Sequence, residues 1–306
     1  MSSMQTYHRR TFVQATLGAL AVSAATAPKP PLGLVVSASR SSTPDQALQK
    51  AHHFGFRTCQ LGVGMSPPAL AQQIKDAQAK YQVEVTALNT LGEGRMVWTL
   101  REGPETIGIV PLATREARMN ALKRASDLAK ACQVKAIHTH CGFIPENPND
   151  PLYPGVVAAI KDVAGYCRNN GQTFLMETGQ ETPITLLRAI QDVGLDNLAV
   201  NLDVANLILY GNGEPVGALD VLGHHVRGMH AKDGLYPVDP YGLGKEVAIG
   251  QGRVRFPEVI QSLERLSYPG AITIEREISG PRQEADIRAS KLFLERLIDR
   301  VYTHTS

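Results

Sequence analysis

The chain is poor in the features that mark several protein classes. Its four cysteines, Cys59, Cys132, Cys141 and Cys167, show no Cys-x-x-Cys spacing, which excludes a thiol-disulfide motif or a zinc ribbon and makes them packing residues. Charge of one sign is missing too: 31 Lys and Arg against 29 Asp and Glu leave a formal +2, too balanced for a nucleic-acid face or an anionic membrane surface. There is no Gly-x-Gly-x-x-Gly turn after the first apolar run, and Gly62-Val63-Gly64 is only a fragment of one, so a dinucleotide-binding sheet is disfavoured. No glycine-rich loop suited to cradling phosphate is present, and no apolar run reaches the roughly 20 residues that span a bilayer.

What is present begins with a leader. His8-Arg9-Arg10-Thr11-Phe12-Val13-Gln14 precedes an Ala-rich, charge-free stretch, Ala15 to Ala27, and resembles a twin-arginine export signal. Residues 1–27 are therefore expected to be an export signal and residues 28–306 a single domain, periplasmic or secreted, with no membrane anchor after processing. This route carries folded proteins, which agrees with a metal loaded before export.

Beyond the leader, short apolar runs alternate with longer helical patterns, the signature of repeated βα units. Eight strands are predicted: Leu32 to Ser37, Thr58 to Leu61, Glu84 to Leu88, Ala136 to Thr139, Thr173 to Met176, Leu198 to Leu202, Val226 to His230 and Ala271 to Ile274. Helices are expected at Pro44 to Phe54, Pro67 to Tyr81, Thr114 to Ala131, Val156 to Asn169, Ile184 to Asp192, Val216 to Leu222, Phe256 to Leu266 and Gln283 to Tyr302. Thr43-Pro44 and Thr182-Pro183 read as helix starts, and Gly55, Gly171 and Gly194 as helix stops. This α/β pattern predicts a single-domain (β/α)₈ TIM barrel. Two long connections, Asn89 to Ala113 and Cys141 to Gly155, stand out, and the first carries Arg95 and the only tryptophan, Trp98, as a lid or a mobile excursion.

In such a barrel the strand ends build the active site, and there the chain turns polar. The fourth strand ends in His138-Thr139-His140, the fifth in Glu177, the sixth in Asp203, the seventh in His230 and the eighth in Glu275. The alternation of a strand points each of these inward. The flanking sequences Glu177-Thr178-Gly179, Asn201-Leu202-Asp203-Val204-Ala205-Asn206, Met229-His230-Ala231-Lys232-Asp233, Gly250-Gln251-Gly252-Arg253-Val254-Arg255-Phe256 and Tyr268-Pro269-Gly270-Ala271-Ile272-Thr273-Ile274-Glu275 resemble the xylose isomerase-like TIM barrel superfamily. Within it they resemble the sugar phosphate isomerase/epimerase and ketose 3-epimerase group.

That resemblance implies one divalent metal bound by Glu177, Asp203, His230 and Glu275. Three carboxylates and one imidazole suit Mn²⁺ or Mg²⁺, with Co²⁺ or Zn²⁺ also admissible. It implies that Glu177 and Glu275 flank a sugar as the base and acid of an isomerase or epimerase that moves a proton next to a carbonyl through an enediolate. His140, Lys232 and Asn89 are substrate-binding candidates; the alternatives are a buried structural role for His140 and a salt bridge with Asp233 for Lys232. Glu277 shares the parity of Glu275 and rivals it. The chain departs from the group in Asn206, where a His is usual, and in Gln251, where an acidic residue is usual, which leaves the substrate open.

The expected partner is a small-molecule sugar or sugar derivative, with no nucleic acid and with a homodimer left open. Two rival activities use the same site: a lyase or hydratase acting on 3-keto-glycosides, and a non-catalytic sugar-binding barrel. An AP endonuclease would need more histidines and a basic face.

Overall fold

The computed structural model describes residues 28–38, 42–64 and 70–303, so the export-signal expectation on residues 1–27 lies outside it, as does the predicted helix start at Pro67. Eight parallel strands close into a barrel. They are β1 (Leu32–Ala38), β2 (Thr58–Val63), β3 (Glu84–Asn89), β4 (Ala136–Thr139), β5 (Thr173–Glu177), β6 (Leu198–Asp203), β7 (Val226–Ala231) and β10 (Ile272–Ile274), β10 closing the ring against β1 and β7. Between β7 and β10 lies an antiparallel hairpin, β8 (Asp233–Leu235) with β9 (Lys245–Val247). The strands match the predicted ones to within a residue or two. Among the described residues no helix is long and apolar enough to cross a membrane.

The helices α1 (Pro44–His53), α2 (Leu70–Tyr81), α4 (Leu112–Ala131), α5 (Tyr153–Asn169), α6 (Pro183–Val193), α8 (Pro215–Leu222), α9 (Phe256–Arg265) and α10 (Pro281–Thr303) follow the barrel strands, and short helices α3 (Gly103–Thr106) and α7 (Val204–Leu209) sit in connections. Local chemistry sets their ends. Thr43 and Gln46 form a reciprocal capping box at α1, and Thr182 caps α6 ahead of Pro183. Gly194 ends α6 in the left-handed conformation, φ 64°, which costs a glycine little. The apolar faces of strands and helices meet in one continuous core, and all four cysteines are buried and unpaired, as expected.

The barrel interior is layered by polarity. Toward the N-terminal mouth it holds a small apolar cluster, Ala87, Ala136, Leu175 and Ala199, among threonines, and a polar layer containing Gln60, Asn201 and His230 follows. Hydrophobic filling is thus confined to the wall and the lower layer, and the C-terminal mouth is left for charged groups.

The two long connections brace one another. Ile109 N donates to Cys141 O at 2.8 Å, and a Cβ on Gly108 would come within 2.0 Å of that same oxygen, so only glycine permits the crossing. Arg118 of α4, 1% exposed, clamps the first connection: its Nε donates to Glu93 O (3.1 Å), Nη1 to Gly108 O (2.6 Å) and Nη2 to Arg95 O (3.1 Å). No carboxylate pairs with it among the described residues. A guanidinium can satisfy three diverging carbonyls at once because its donors form a rigid fork. The segment carrying Trp98 is therefore pinned from beneath and forms part of the cavity wall.

Arg118→Met keeps the apolar stem and strips the donors. Each buried carbonyl left unpaired costs about 1–3 kcal/mol, so the melting temperature should fall. Trp98, as the single tryptophan, should report the loosening by red-shifted emission and faster acrylamide quenching. Unchanged quenching would mean that the wall stands without the clamp.

Candidate active site

Each candidate arrives at the C-terminal mouth on the end of a different strand. Glu177 ends β5 and is 2% exposed, Asp203 ends β6 and His230 lies on β7, both fully buried, and Glu275 follows β10. Register keeps them level, since His230 pairs with Asp203 on one side and Thr273 on the other. One donor atom from each of Glu177, Asp203, His230 and Glu275 lies within 4.8 Å of the other three.

Glu177 is the hub. Its Oε2 lies 2.6 Å from His138 Nε2 and 3.0 Å from His140 Nε2, and its Oε1 lies 3.1 Å from His230 Nδ1. Asn206 Nδ2 donates to Oε1 at 3.3 Å. Burial alone would raise this carboxyl, but His140, His138 and His230 together outweigh it and hold it well below the usual carboxylate range. Burial likewise opposes charge on His230, and Glu275 and Glu177 overturn that, raising its pKa well above the ordinary histidine value.

Lys232 was read from sequence as a substrate contact or a salt bridge to Asp233, and the second alternative is wrong. Its Nζ sits 3.0 Å from Asp203 Oδ2, 2.8 Å from Glu275 Oε2 and 3.2 Å from Glu277 Oε2. Asp233 is occupied elsewhere: its Oδ1 accepts from Gly234 N and Val254 N, its Oδ2 from Gly250 N and Gly252 N. Lys232 lies between β7 and β8, and its side chain and that of Asp233 take separate sets of partners. Burial penalises the ammonium, yet Asp203, Glu275 and Glu277 raise its pKa well above the ordinary lysine value.

These donors fit a divalent cation. Asp203 Oδ2 is buried and meets the Lys232 ammonium at 3.0 Å without a well-directed hydrogen bond, which leaves it lone-pair capacity for a second cation, while Asp203 Oδ1 is used locally to cap α7 at Asn206 N. Three carboxylate oxygens and one imidazole nitrogen form an oxygen-rich set. His138, Glu177 and His230 form a second close triad. Glu277 stands apart from both groups, with its side chain 60% exposed.

Above the charged floor opens a cavity of about 360 Å³, within the range of small-molecule sites. Trp98, His140, Tyr210, Lys232 and Asn89 are on its wall. The Trp98 and His140 rings meet edge to face at 4.9 Å, and Gln180 links His140 to the Tyr210 hydroxyl, to which it donates at 2.9 Å. Asn89 Oδ1 is buried without a hydrogen bond and can accept one from a hydroxyl. The structure thus brings all seven candidates to one place. Sequence reasoning missed Gln60, Gln180 and Tyr210. It turned His138 inward beside His140 but gave it no role, and the structure sets it against Glu177.

Residues 48–297 match the family described as xylose isomerase-like TIM barrel. The chain belongs to that family. Among solved structures, the xylose isomerase domain protein from Planctomyces limnophilus shares 32% identity and a TM-score of 0.82, over 90% of this chain and 100% of that one. A D-tagatose 3-epimerase-like protein has the same barrel, with a TM-score of 0.71 at 17% identity, over 90% of this chain and 100% of that one. An uncharacterised protein of Methanocaldococcus jannaschii is 24% identical over 174 residues, and the alignment spans 53% of this chain and only 58% of that protein's length. The xylose isomerase-like barrel is thereby the frame in which the acidic cluster has to be understood.

Glu275 and Glu277 can be told apart by Mn²⁺ titration calorimetry. Glu275→Gln should weaken Mn²⁺ by more than the roughly 10–100-fold typical of an outer partner, whereas Glu277→Gln, removing an exposed charge, should cost about 1 kcal/mol or less. The reverse ranking would move the centre to Glu277.

Proposed function

We propose that the protein is a divalent-metal-dependent sugar isomerase or epimerase that moves a proton on the carbon next to a sugar carbonyl, with Glu177 and Glu275 as the two proton carriers. The observation that carries this reading is their pairing: two carboxylates from opposite sides of the Asp203–His230 pair, with donor atoms within 4.8 Å of one another, on the floor of a sugar-sized cavity. Membership of the xylose isomerase-like family and the barrel shared with a D-tagatose 3-epimerase-like protein support it.

Glu177, Asp203, His230 and Glu275 would hold a divalent ion, Mn²⁺ or Mg²⁺ by their oxygen-rich chemistry, which when bound supplies Lewis-acid polarisation of a carbonyl oxygen. The remaining work falls to the chain. Glu177, kept ionised by its imidazoles, is ready to accept a proton. Glu275, 15% exposed and charge-paired with Lys232, faces the carbon from the other side and must first take up a proton from the open cavity before it can return one there. Return to the opposite face of the same carbon inverts it, and return to the neighbouring carbon exchanges aldose for ketose; both pass through an enediolate. His140, Lys232 and Asn89 hold hydroxyls, and Trp98 covers the sugar and excludes water.

The twin-arginine-like leader at His8 to Gln14 supports work outside the cytoplasm on a sugar without phosphate. It also favours a second reading, a lyase or hydratase for 3-keto-glycosides, in which the same proton abstraction expels a leaving group.

Mn²⁺-loaded protein incubated in D₂O with neutral ketoses, aldoses and 3-keto-glycosides separates these readings by NMR. Deuterium next to the carbonyl with no release is the expected result, and release of an aglycone selects the lyase. Glu177→Gln should lower exchange by about 10²–10⁴-fold, the usual worth of a general base, while substrate still binds by calorimetry. No exchange with any sugar leaves a binding protein.

A further inference from the structure

We infer that Gln60 is a positioning residue for His230, accepting a hydrogen bond from the far side of its ring and so reserving Nδ1 for the metal; this rests on the metal reading above. Imidazole has two nitrogens, and a neutral ring carries its proton on only one of them. His230 Nδ1 faces the cluster, 3.1 Å from Glu177 Oε1, 3.4 Å from Glu275 Oε2 and 3.6 Å from Asp203 Oδ2. Nε2 points the other way, down the barrel axis, to Gln60 Oε1 at 2.8 Å. A carboxamide could offer either its oxygen or its nitrogen to the ring. Here Gln60 Nε2 donates to Asn201 Oδ1 at 2.8 Å, which turns the oxygen to His230 and, in the neutral ring, assigns the proton to Nε2. With the amide reversed, the proton would be driven to Nδ1, where it would block the lone pair that the cluster needs.

The relay is built into the barrel. His230 and Asn201 are fully buried and Gln60 is 3% exposed, so water does not compete for these bonds. Register slips in the barrel just before both amides, between Cys59 and Gln60 against β3 and between Val200 and Asn201 against β7. Such irregularities re-aim side chains next to active sites. Gly228, the neighbour of Asn201 across the β6–β7 ladder, makes the space: a Cβ there would lie 2.4 Å from Asn201 Oδ1.

The test compares wild type with Gln60→Leu, which removes the acceptor, and Gln60→Glu, which keeps one. Mn²⁺ affinity is read from the free-ion EPR signal, and the His230 ring from ¹⁵N-resolved NMR of metal-free and Mg²⁺-loaded protein. Outer partners of ligating histidines are worth about 10–100-fold in metal affinity; a loss of that size is expected for Gln60→Leu and largely restored by Gln60→Glu. In wild type, Nε2 should carry a proton protected from exchange, and Mg²⁺ should shift Nδ1. Wild-type Mn²⁺ affinity in a folded Gln60→Leu protein, or an Nε2 without a protected proton, overturns the inference. Should Gln60→Leu fail to fold, Asn201→Leu frees the amide instead: weakened Mn²⁺ binding supports the relay and unchanged binding overturns it. A wild-type protein that binds no Mn²⁺ sinks the proposed function, and the ring-proton measurement without metal, made at a pH high enough to neutralise the ring, then still decides the relay.

Discussion

The structure turns on one constraint: several carboxylates are held together away from water, and something must offset their mutual repulsion. Glu177, Asp203 and Glu275 converge within a few ångströms where the local dielectric is low, so bringing them together unaided would drive one or more to take up protons. The barrel answers with imidazoles on one side and an ammonium on the other. Three imidazoles surround Glu177, and the Lys232 ammonium lies against Asp203 and Glu275. Because His230 and Lys232 stand two residues apart, they share a face of β7 and its extension, and one strand supplies both compensating groups.

This arrangement explains which parts of the site could be read from sequence. Glu177, Asp203, His230 and Glu275 each close an apolar strand, and a period of two is enough to aim them inward once a barrel is assumed. Gln60 and Asn201 carry no such signal. Each lies one layer lower, within a strand, and their meeting depends on register slips that appear only when neighbouring strands are paired. Lys232 shows the same limit from the other side: adjacency in sequence pointed to Asp233, while the fold turns that carboxylate to the backbone amides of the Gly250–Val254 turn. The fold was more legible than the site because eight repeats of one pattern reinforce each other. Short elements without repetition, α7 and the β8–β9 hairpin, were not anticipated.

Gly250 and Gly252 give the turn a role the motif alone did not disclose. Their amides, with those of Gly234 and Val254, enclose Asp233, and a Cβ on Gly252 would fall 2.0 Å from Asp233 Oδ1. The position between them, Gln251, is exposed and takes no part in this cage. Its departure from the acidic residue usual there therefore leaves the anchoring of the segment intact, and any consequence is confined to the surface. Asn206 differs in kind. It touches Glu177 directly, donating where a histidine could also carry charge, so this change alters the electrostatics of the hub itself.

The two glutamates consequently do not stand in equivalent surroundings. Glu177 is enclosed by titratable rings and an amide, with 2% exposure; Glu275 is 15% exposed and meets a fixed ammonium. A ring can pass its proton on or be reoriented by its neighbours, whereas an ammonium between three carboxylates has no reason to release one. Hydrogen bonds on the Glu177 side thus run to His140 and, through Gln180, to Tyr210 at the cavity wall. On the Glu275 side the charge is pinned. The Arg118 clamp bears on the Glu177 side of the site, because it holds the carbonyls of Glu93, Arg95 and Gly108 in the connection whose Trp98 ring packs edge to face on His140.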